Sequence, residues 1–247
     1  MAESAAQKAE REDRRDKVME LAYAGYSYRR IASELGVGLG TVWRDVDARL
    51  ERSLWYTTYN RDLLGVDRAG ATAFWRAAYA LDVEAMRLLL EFGADPHLPT
   101  VTVPNRRRLP HPDPSGLPPV PLGGPAVSPL LAAAGVGYGQ GYAGNSHRHV
   151  PGGWLPAVRF LVEDVGLDVH FRDHNGYNAV HHAAARGDNA LIRYLVDRGV
   201  DVTAVSRRGQ TTVDMANGPV QRIQPFPETI ALLEGLGAKN NHRCLSC

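Results

Sequence analysis

Two stretches of this chain are copies of one another, and that constrains the fold more than any other feature. Residues 67–96 and 173–202 align without a gap: Gly70 meets Gly176, Ala77 meets Ala183, Leu89 meets Leu195 and Gly93 meets Gly199. The two glycines of each copy stand 23 residues apart. A third copy begins at Gly209, 33 residues after Gly176. A fourth lies between, at 126–135 and 155–169, split by an insertion. With the insertion allowed for, Val158 is level with Met86, Ile192 and Ile230, and Leu161 with Leu89, Leu195 and Leu233.

Each copy has the same physical content. A glycine turn precedes a short alanine-rich segment, predicted to be a helix. A second helix follows, with apolar residues at i, i+3 and i+4 as in Met86, Leu89 and Leu90. Gly93 or Gly199 then stops it, because a helix end favours a residue that tolerates positive φ. The pairs Ala77–Ala78 and Ala183–Ala184 let neighbouring helices approach closely. One such unit cannot bury both of its faces, so the units must stack into an all-α solenoid.

These residues resemble the ankyrin repeat, whose motif is Gly-x-Thr-Pro-Leu-His-x-Ala-Ala followed by Leu-Leu-x-x-Gly-Ala-Asp. Gly70, Thr72, Ala77, Ala78, Leu89, Leu90, Gly93, Ala94 and Asp95 match it, as do Gly176, His181, Ala183, Ala184, Leu195, Gly199 and Asp201. The split copy matches at Ser128, Pro129, Leu130, Ala133 and Leu161, and the last at Gly209, Thr211, Ala216, Leu233 and Gly237. Trp75 departs by replacing the family's histidine, and the last copy's first helix is cut short by Gly218 and Pro219. The resemblance implies an ankyrin-repeat solenoid of about four repeats with loop insertions over residues 67–240. It implies that His181 ties neighbouring hairpins by hydrogen bonds. It further implies that a protein partner, not identified by the sequence, binds along the hairpin tips and concave face. Carried onto this chain, the tips are Arg172, Asp173, His174, Asn175 and Tyr177, then Ser206, Arg207, Arg208 and Gln210.

The chain has 25 glycines and 16 prolines, slightly more than usual, and the excess sits in two insertions. Between the first two copies, Pro104, Pro110, Pro112, Pro114, Pro118, Pro119 and Pro121 exclude regular helix and favour extended backbone. Inside the split copy, Gly139, Gly141 and Gly144 spell G-x-G-x-x-G, with Glu163 about twenty residues on. A dinucleotide site needs that motif to end a strand and open a helix. Here it follows a helix and runs into Asn145 and Pro151, so the better expectation is a loop that hydrogen-bonds a peptide or its own repeat surface.

Residues 14–52 form a different unit, preceded by a flexible tail over 1–13. Val18, Leu21 and Ala22 give one helical face, Ile31, Ala32 and Leu35 a second, and Val42, Val46 and Leu50 a third, with Thr41 able to cap the last helix. Ala32, Gly36 and Val42 have the spacing of a helix-turn-helix, which this segment resembles. The resemblance implies that the third helix enters the major groove of double-stranded DNA, with Thr41, Trp43, Arg44 and Arg49 as its contacts. Tyr28, Arg29 and Arg30 would hold phosphates. Residues 1–52 carry ten basic and ten acidic side chains, and Asp45 and Asp47 lie on the reading helix itself, which opposes phosphate binding. The alternative is a helical unit used for capping or dimerisation. Residues 53–66, with Leu54, Trp55, Tyr56, Tyr59, Leu63 and Leu64, are expected to cap the first repeat.

A formal net charge of +1 gives no reason to expect a bulk polyanion or membrane surface as partner. No apolar run suits a transmembrane helix and no secretory signal opens the chain, so a cytoplasmic location is expected. The two cysteines, Cys244 and Cys247, form a single C-x-x-C in a tail at 241–247, with only His242 near. A structural zinc needs four ligands. A redox or metal-linked role for that tail stays as an alternative. No triad, phosphate loop or carboxylate pair points to catalysis, and no cofactor is expected. The expected function is therefore a non-enzymatic protein-interaction scaffold with a DNA-binding-like N-terminal unit, an adaptor or transcriptional regulator.

Overall fold

The structure is a computed structural model and describes residues 4–23, 28–49, 69–104, 113–138, 149–219 and 224–244. Among these residues it is helical, with no strand and one isolated antiparallel bridge, Val101 to Pro125. The G-x-G-x-x-G loop and the segment expected to cap the first repeat, 53–66, lie outside the described residues.

Three helices come first: α1 (Ala5–Tyr23), α2 (Tyr28–Leu35) and α3 (Leu39–Val46). They pack on one another, burying Val18, Ile31, Ala32, Val42 and Val46, one residue or pair from each face expected of the sequence. The expected tail over 1–13 is helical from Ala5. Ser4 and Gln7 form a reciprocal cap, in which the Gln7 N–H donates to Ser4 Oγ (3.2 Å) and the Ser4 N–H to Gln7 Oε1 (2.9 Å). That S-x-x-Q box opens a run of alanine and long straight side chains with no glycine or proline, which favours helix. Thr41 does not cap α3 but lies inside its first turn, where its N–H donates to Gly38 O (2.8 Å).

Four helix pairs follow: α4 (Ala73–Tyr79) with α5 (Val83–Glu91), α6 (Pro129–Ala133) with α7 (Trp154–Arg159), α8 (Ala179–Ala184) with α9 (Asn189–Asp197), and α10 (Thr212–Ala216) with α11 (Pro227–Gly235). The inner helices stack in chain order, α4 on α6, α6 on α8 and α8 on α10, and their alanines other than the half-buried Ala73 are buried. Each inner helix opens on a polar side chain at one equivalent position. Thr72, Ser128, Asn178 and Thr211 accept from the N–H groups of Trp75, Leu131, His181 and Asp214. Asp82 and Asp188 do the same for α5 and α9. At the far end Gly93 and Gly199 adopt φ of +76° and +81°, and the next N–H reaches back to Leu89 O or Leu195 O. Those bonds satisfy carbonyls that the helix end would otherwise leave bare.

The second pair carries one residue too many, since Leu161 and Gly166 are five apart where Leu89 and Gly93 are four. The extra residue is absorbed as a π turn at Phe160–Asp164 that continues α7, with Val165 N–H donating to Phe160 O at 3.1 Å.

Between consecutive pairs the chain runs out and back as a finger. In the best-formed finger, Thr100 N–H donates to Val127 O (3.0 Å), Ala126 N–H to Thr100 O (2.8 Å) and Thr102 N–H to Gly124 O (2.9 Å). Neighbouring fingers are joined by backbone bonds, Val101 to Ala69 O, His174 to Ala126 O and Arg207 to Asn175 O, at 2.8–3.0 Å. The row of fingertips is therefore continuous. The N-terminal helices are tied to its start. Arg49 Nη1 donates to Gly70 O (2.9 Å) and Pro99 O (2.6 Å), and Asp95 N–H donates to Asp47 Oδ1 (3.0 Å).

Candidate interaction surface

The fingertips of the third and fourth pairs share one local geometry. In the first, Asp173 Oδ1 accepts from the N–H groups of Asn175 (2.8 Å) and Tyr177 (2.9 Å), and the turn closes with Asp173 N–H on Tyr177 O. In the second, Ser206 takes the place of Asp173: its Oγ accepts from Gln210 N–H (3.1 Å) and its N–H donates to Gln210 O. The structure thus brings the expected set together, yet it does not leave the set exposed. Asp173, Tyr177, Ser206, Arg207 and Gln210 are buried, while Arg172, His174, Asn175 and Arg208 are half-buried. Tyr177 donates from its hydroxyl to Gln210 Oε1, and burial pushes its phenol up to about 12. Arg172 bonds Gly176 O (2.9 and 2.7 Å) and Val205 O, so it holds one tip against the next.

Arg207 is only 5% exposed although it stands at a fingertip. Its Nε donates to His174 O (3.0 Å), and its two terminal nitrogens reach the Asp113 carboxylate, Leu117 O (3.2 Å) and Pro118 O. The cover is the proline-rich insertion. Its residues 113–118 lie over the tips that follow. At the other flank, Gln210 Nε2 donates to Arg243 O (3.0 Å) and Asn241 Nδ2 to Gly209 O (3.1 Å), so the expected tail from 241 is also laid against a tip. Cys244 is disulfide-bonded. Cys247 lies outside the described residues.

Behind the tips lies a buried polar cluster. His181 completes a capping box with Asn178 and is fully buried. Burial pushes its pKa down to about 3, and the neighbouring His182 and Arg172 add to this, so the ring is neutral. Burial would raise the Asp173 carboxyl, but the His182 ring, His174 and the Tyr177 N–H outweigh it and hold the carboxyl below its ordinary range. His182 Nε2 stands 3.7 Å from Asp173 Oδ2, an ion-pair distance rather than a hydrogen bond. No group of three or more His, Cys, Asp or Glu among the described residues is arranged to hold a metal ion.

On the opposite edge, Arg186 joins the second and third pairs. Its guanidinium stacks on Trp154 at 3.6 Å from the ring centre, pairs with Asp188 (2.8 Å) and donates to Ala134 O. Gly135, at φ +101°, gives it room, since a Cβ built there would sit 1.9 Å from Arg186 Nη1. The sequence held a signal for this contact in the glycine beside an alanine-rich helix, but not the identity of the partner. Glu163, which follows the G-x-G-x-x-G stretch at about twenty residues, accepts from Tyr194 (3.1 Å), Arg159 (3.4 Å) and Arg198 on the outer helices.

In the N-terminal unit, Arg29 and Arg30 are exposed, Arg30 lying 3.9 Å from Glu34. The side chains of Tyr28, Trp43 and Arg44 are outside the described set. Asp45 does not face outward: it is buried and paired with Arg14 (2.8 Å) and Arg15 (3.5 Å) of α1. Arg49, expected to face DNA, is spent on the first helix pair, as is Asp47, whose carboxyl burial holds above its ordinary range.

The ankyrin repeat family model matches residues 175–207. Protein phosphatase 1 regulatory subunit 12A of Mus musculus is 34% identical over 65 residues, which are 26% of this chain and 6% of that protein. Protein phosphatase 1 regulatory subunit 27 of Mus musculus is 32% identical over 90 residues, 36% of this chain and 53% of that protein. Delta-latroinsectotoxin-Lt1a of Latrodectus tredecimguttatus is 35% identical over 48 residues, 19% of this chain and 4% of the toxin. The matches thus span about half the length of one of these relatives and a small fraction of the others. The matched segment 175–207 runs from the turn of one fingertip through α8 and α9 to the next. That helix pair with its two turns is the part of the chain that is similar to an ankyrin repeat.

Proposed function

We propose that the chain is a non-enzymatic protein-interaction scaffold in which each of the four helix pairs is one ankyrin repeat. The observation that carries this reading is the unbroken row of bonded fingertips, since a rigid row of loops offers a partner one preorganised surface. Two of the matched relatives are, by name, regulatory subunits of a phosphatase, which supports a protein as the partner class. A cytoplasmic location belongs to the same reading. The test is retention of proteins from an extract by the immobilised full chain, followed by titration of whatever is retained. Saturable binding is expected, and an extract from which nothing is retained above an unrelated control contradicts the reading.

We further read α2 and α3 as a helix-turn-helix that binds double-stranded DNA, which would make the scaffold an adaptor or transcriptional regulator. One observation favours it: Asp45, the chief local objection, is neutralised by Arg14 and Arg15, while Arg29 and Arg30 remain exposed. The engagement of Arg49 and Asp47 with the first helix pair favours the competing reading, in which these helices cap the repeats. A gel shift across a salt series separates the two. DNA binding predicts a shift at low salt that Arg29→Ala/Arg30→Ala weakens and that fades as salt rises. A cap gives no shift at any salt.

A further inference from the structure

Residues 113–118, Asp-Pro-Ser-Gly-Leu-Pro, lie across the tips as a strap that turns at Pro114–Ser115 and passes through Gly116 at φ +66°. Their exposure alternates: Asp113, Ser115 and Leu117 are half-buried, whereas Pro114, Gly116 and Pro118 are exposed. The strap shapes itself locally, with Asp113 Oδ1 accepting from Ser115 N–H (2.9 Å) and Ser115 Oγ from Leu117 N–H (3.2 Å). Beneath it two glycines leave flat ground. Leu117 Cδ1 would be 3.4 Å from a Cβ at Gly176, and Pro114 Cγ would be 3.7 Å from one at Gly209. Arg207 supplies the grip, taking one carboxylate and two successive main-chain carbonyls.

This is how a protein reads a peptide: a fixed guanidinium fork for an acid and carbonyls, and a shallow seat for one leucine. The strap puts no fully buried side chain into that seat, so its hold is polar and local, the kind of contact that opens without global unfolding. Pro114 fixes its own φ within the turn and the Asp113 and Ser115 side chains bond the backbone two residues on, so the turn is shaped locally, which lowers the ordering cost for any segment of the same composition.

We propose that residues 113–118 are a displaceable internal ligand, and that the surface formed by Arg207, Gly176 and Gly209 binds a proline-containing segment of a protein partner that makes the same turn. That segment carries an acidic residue four positions ahead of a leucine-proline pair. The proposal rests on the scaffold reading and names the chemistry of the partner. In the resting chain the strap blocks the surface, and a partner must compete with it.

The probe is a fluorescein-labelled peptide of residues 113–121, titrated by anisotropy into the full chain in three forms. Asp113→Ala/Leu117→Ala, which loosens the strap, should bind the peptide at least about tenfold more tightly than the wild type, because it removes an intramolecular competitor. Adding Arg207→Ala to that chain should abolish binding, and a peptide with Asp replaced by Asn should bind more weakly. Should Arg207→Ala fail to fold, Arg207→Lys decides instead, since it keeps the charge but loses the fork. The proposal is overturned if the loosened chain does not bind the peptide, or if the amides of Ser115, Gly116 and Leu117 in the wild type exchange as slowly as those of α8. It is overturned equally if the loosened chain dimerises and binds no peptide, which would assign the surface to a second copy. Failure of the scaffold reading looks different: the loosened chain binds the peptide, yet no protein is retained from any extract.

Discussion

Trp75 shows how one residue can be replaced without losing its task. It stands where the repeat's motif has histidine, and its indole is fully buried in the stack. Nε1–H donates to Val127 O of the next finger at 2.9 Å, so the indole ties two neighbouring pairs together. Trp75→Phe keeps an aromatic ring but removes both the donor to that carbonyl and the indole's second ring from a fully buried site. The expected cost is about 2–4 kcal/mol, to be read from the midpoint of urea unfolding; an unchanged midpoint would mean that neither the bond nor the packing contributes. His181 gives a pH signature. In the unfolded chain its ring takes up a proton near pH 6.5, and in the fold only near 3. Between these values the unfolded state binds the extra proton. The contribution is therefore complete above about pH 6.5 and falls with acidification by up to about 1.4 kcal/mol per pH unit. Asp173, held below its ordinary range, acts in the same direction at lower pH. His181→Gln retains a capping acceptor and removes the proton site, so its thermal midpoint should change less between pH 6.5 and 4 than that of the wild type.

Among the elements, the helix pairs were legible because their signals are local. A capping side chain, an alanine pair, the i, i+3, i+4 apolar face and a stop glycine all fall within one stretch of about 25 residues. The Ser4–Gln7 box at the head of α1 was equally local, and the charged run behind it disguised a helix as a tail. The surroundings of the fingertips are less legible in the sequence, for the opposite reason. Tyr177, Ser206, Arg207 and Gln210 look solvated within their own repeats. They are buried by contacts from other repeats and from Asp113 and Arg243, distant in sequence. The burial of Asp45 is hidden from its own helix likewise, since its partners Arg14 and Arg15 lie some thirty residues earlier. The π turn tests whether register, rather than composition, shapes the second pair. Deleting the exposed Asp164 restores the four-residue spacing from Leu161 to the stop glycine. The outer helix should then close as an ordinary α-helix, with the midpoint shifted by no more than about 1 kcal/mol because surface changes cost little. Loss of cooperative folding would show that the turn itself is required.

At the scale of the whole molecule, Arg49 makes two of the hydrogen bonds that join the N-terminal helices to the repeats among the described residues. Arg49→Ala should let the N-terminal helices melt apart from the stack. Differential scanning calorimetry is expected to show a separate low-temperature transition, while the main one moves little; a single unchanged transition would mean that the junction is held by other contacts. The fingertips gain their rigidity from the ladder of neighbour-to-neighbour bonds, and that rigidity is what the proposed scaffold offers a partner. Its most direct test is titration of a protein retained by the immobilised full chain, carried out with the wild type and with Arg208→Glu, a half-buried tip residue. The account predicts saturable binding that the substitution weakens about tenfold, as expected for a charge reversed at an interface. Saturable binding that neither Arg208→Glu nor any other fingertip substitution alters would contradict it.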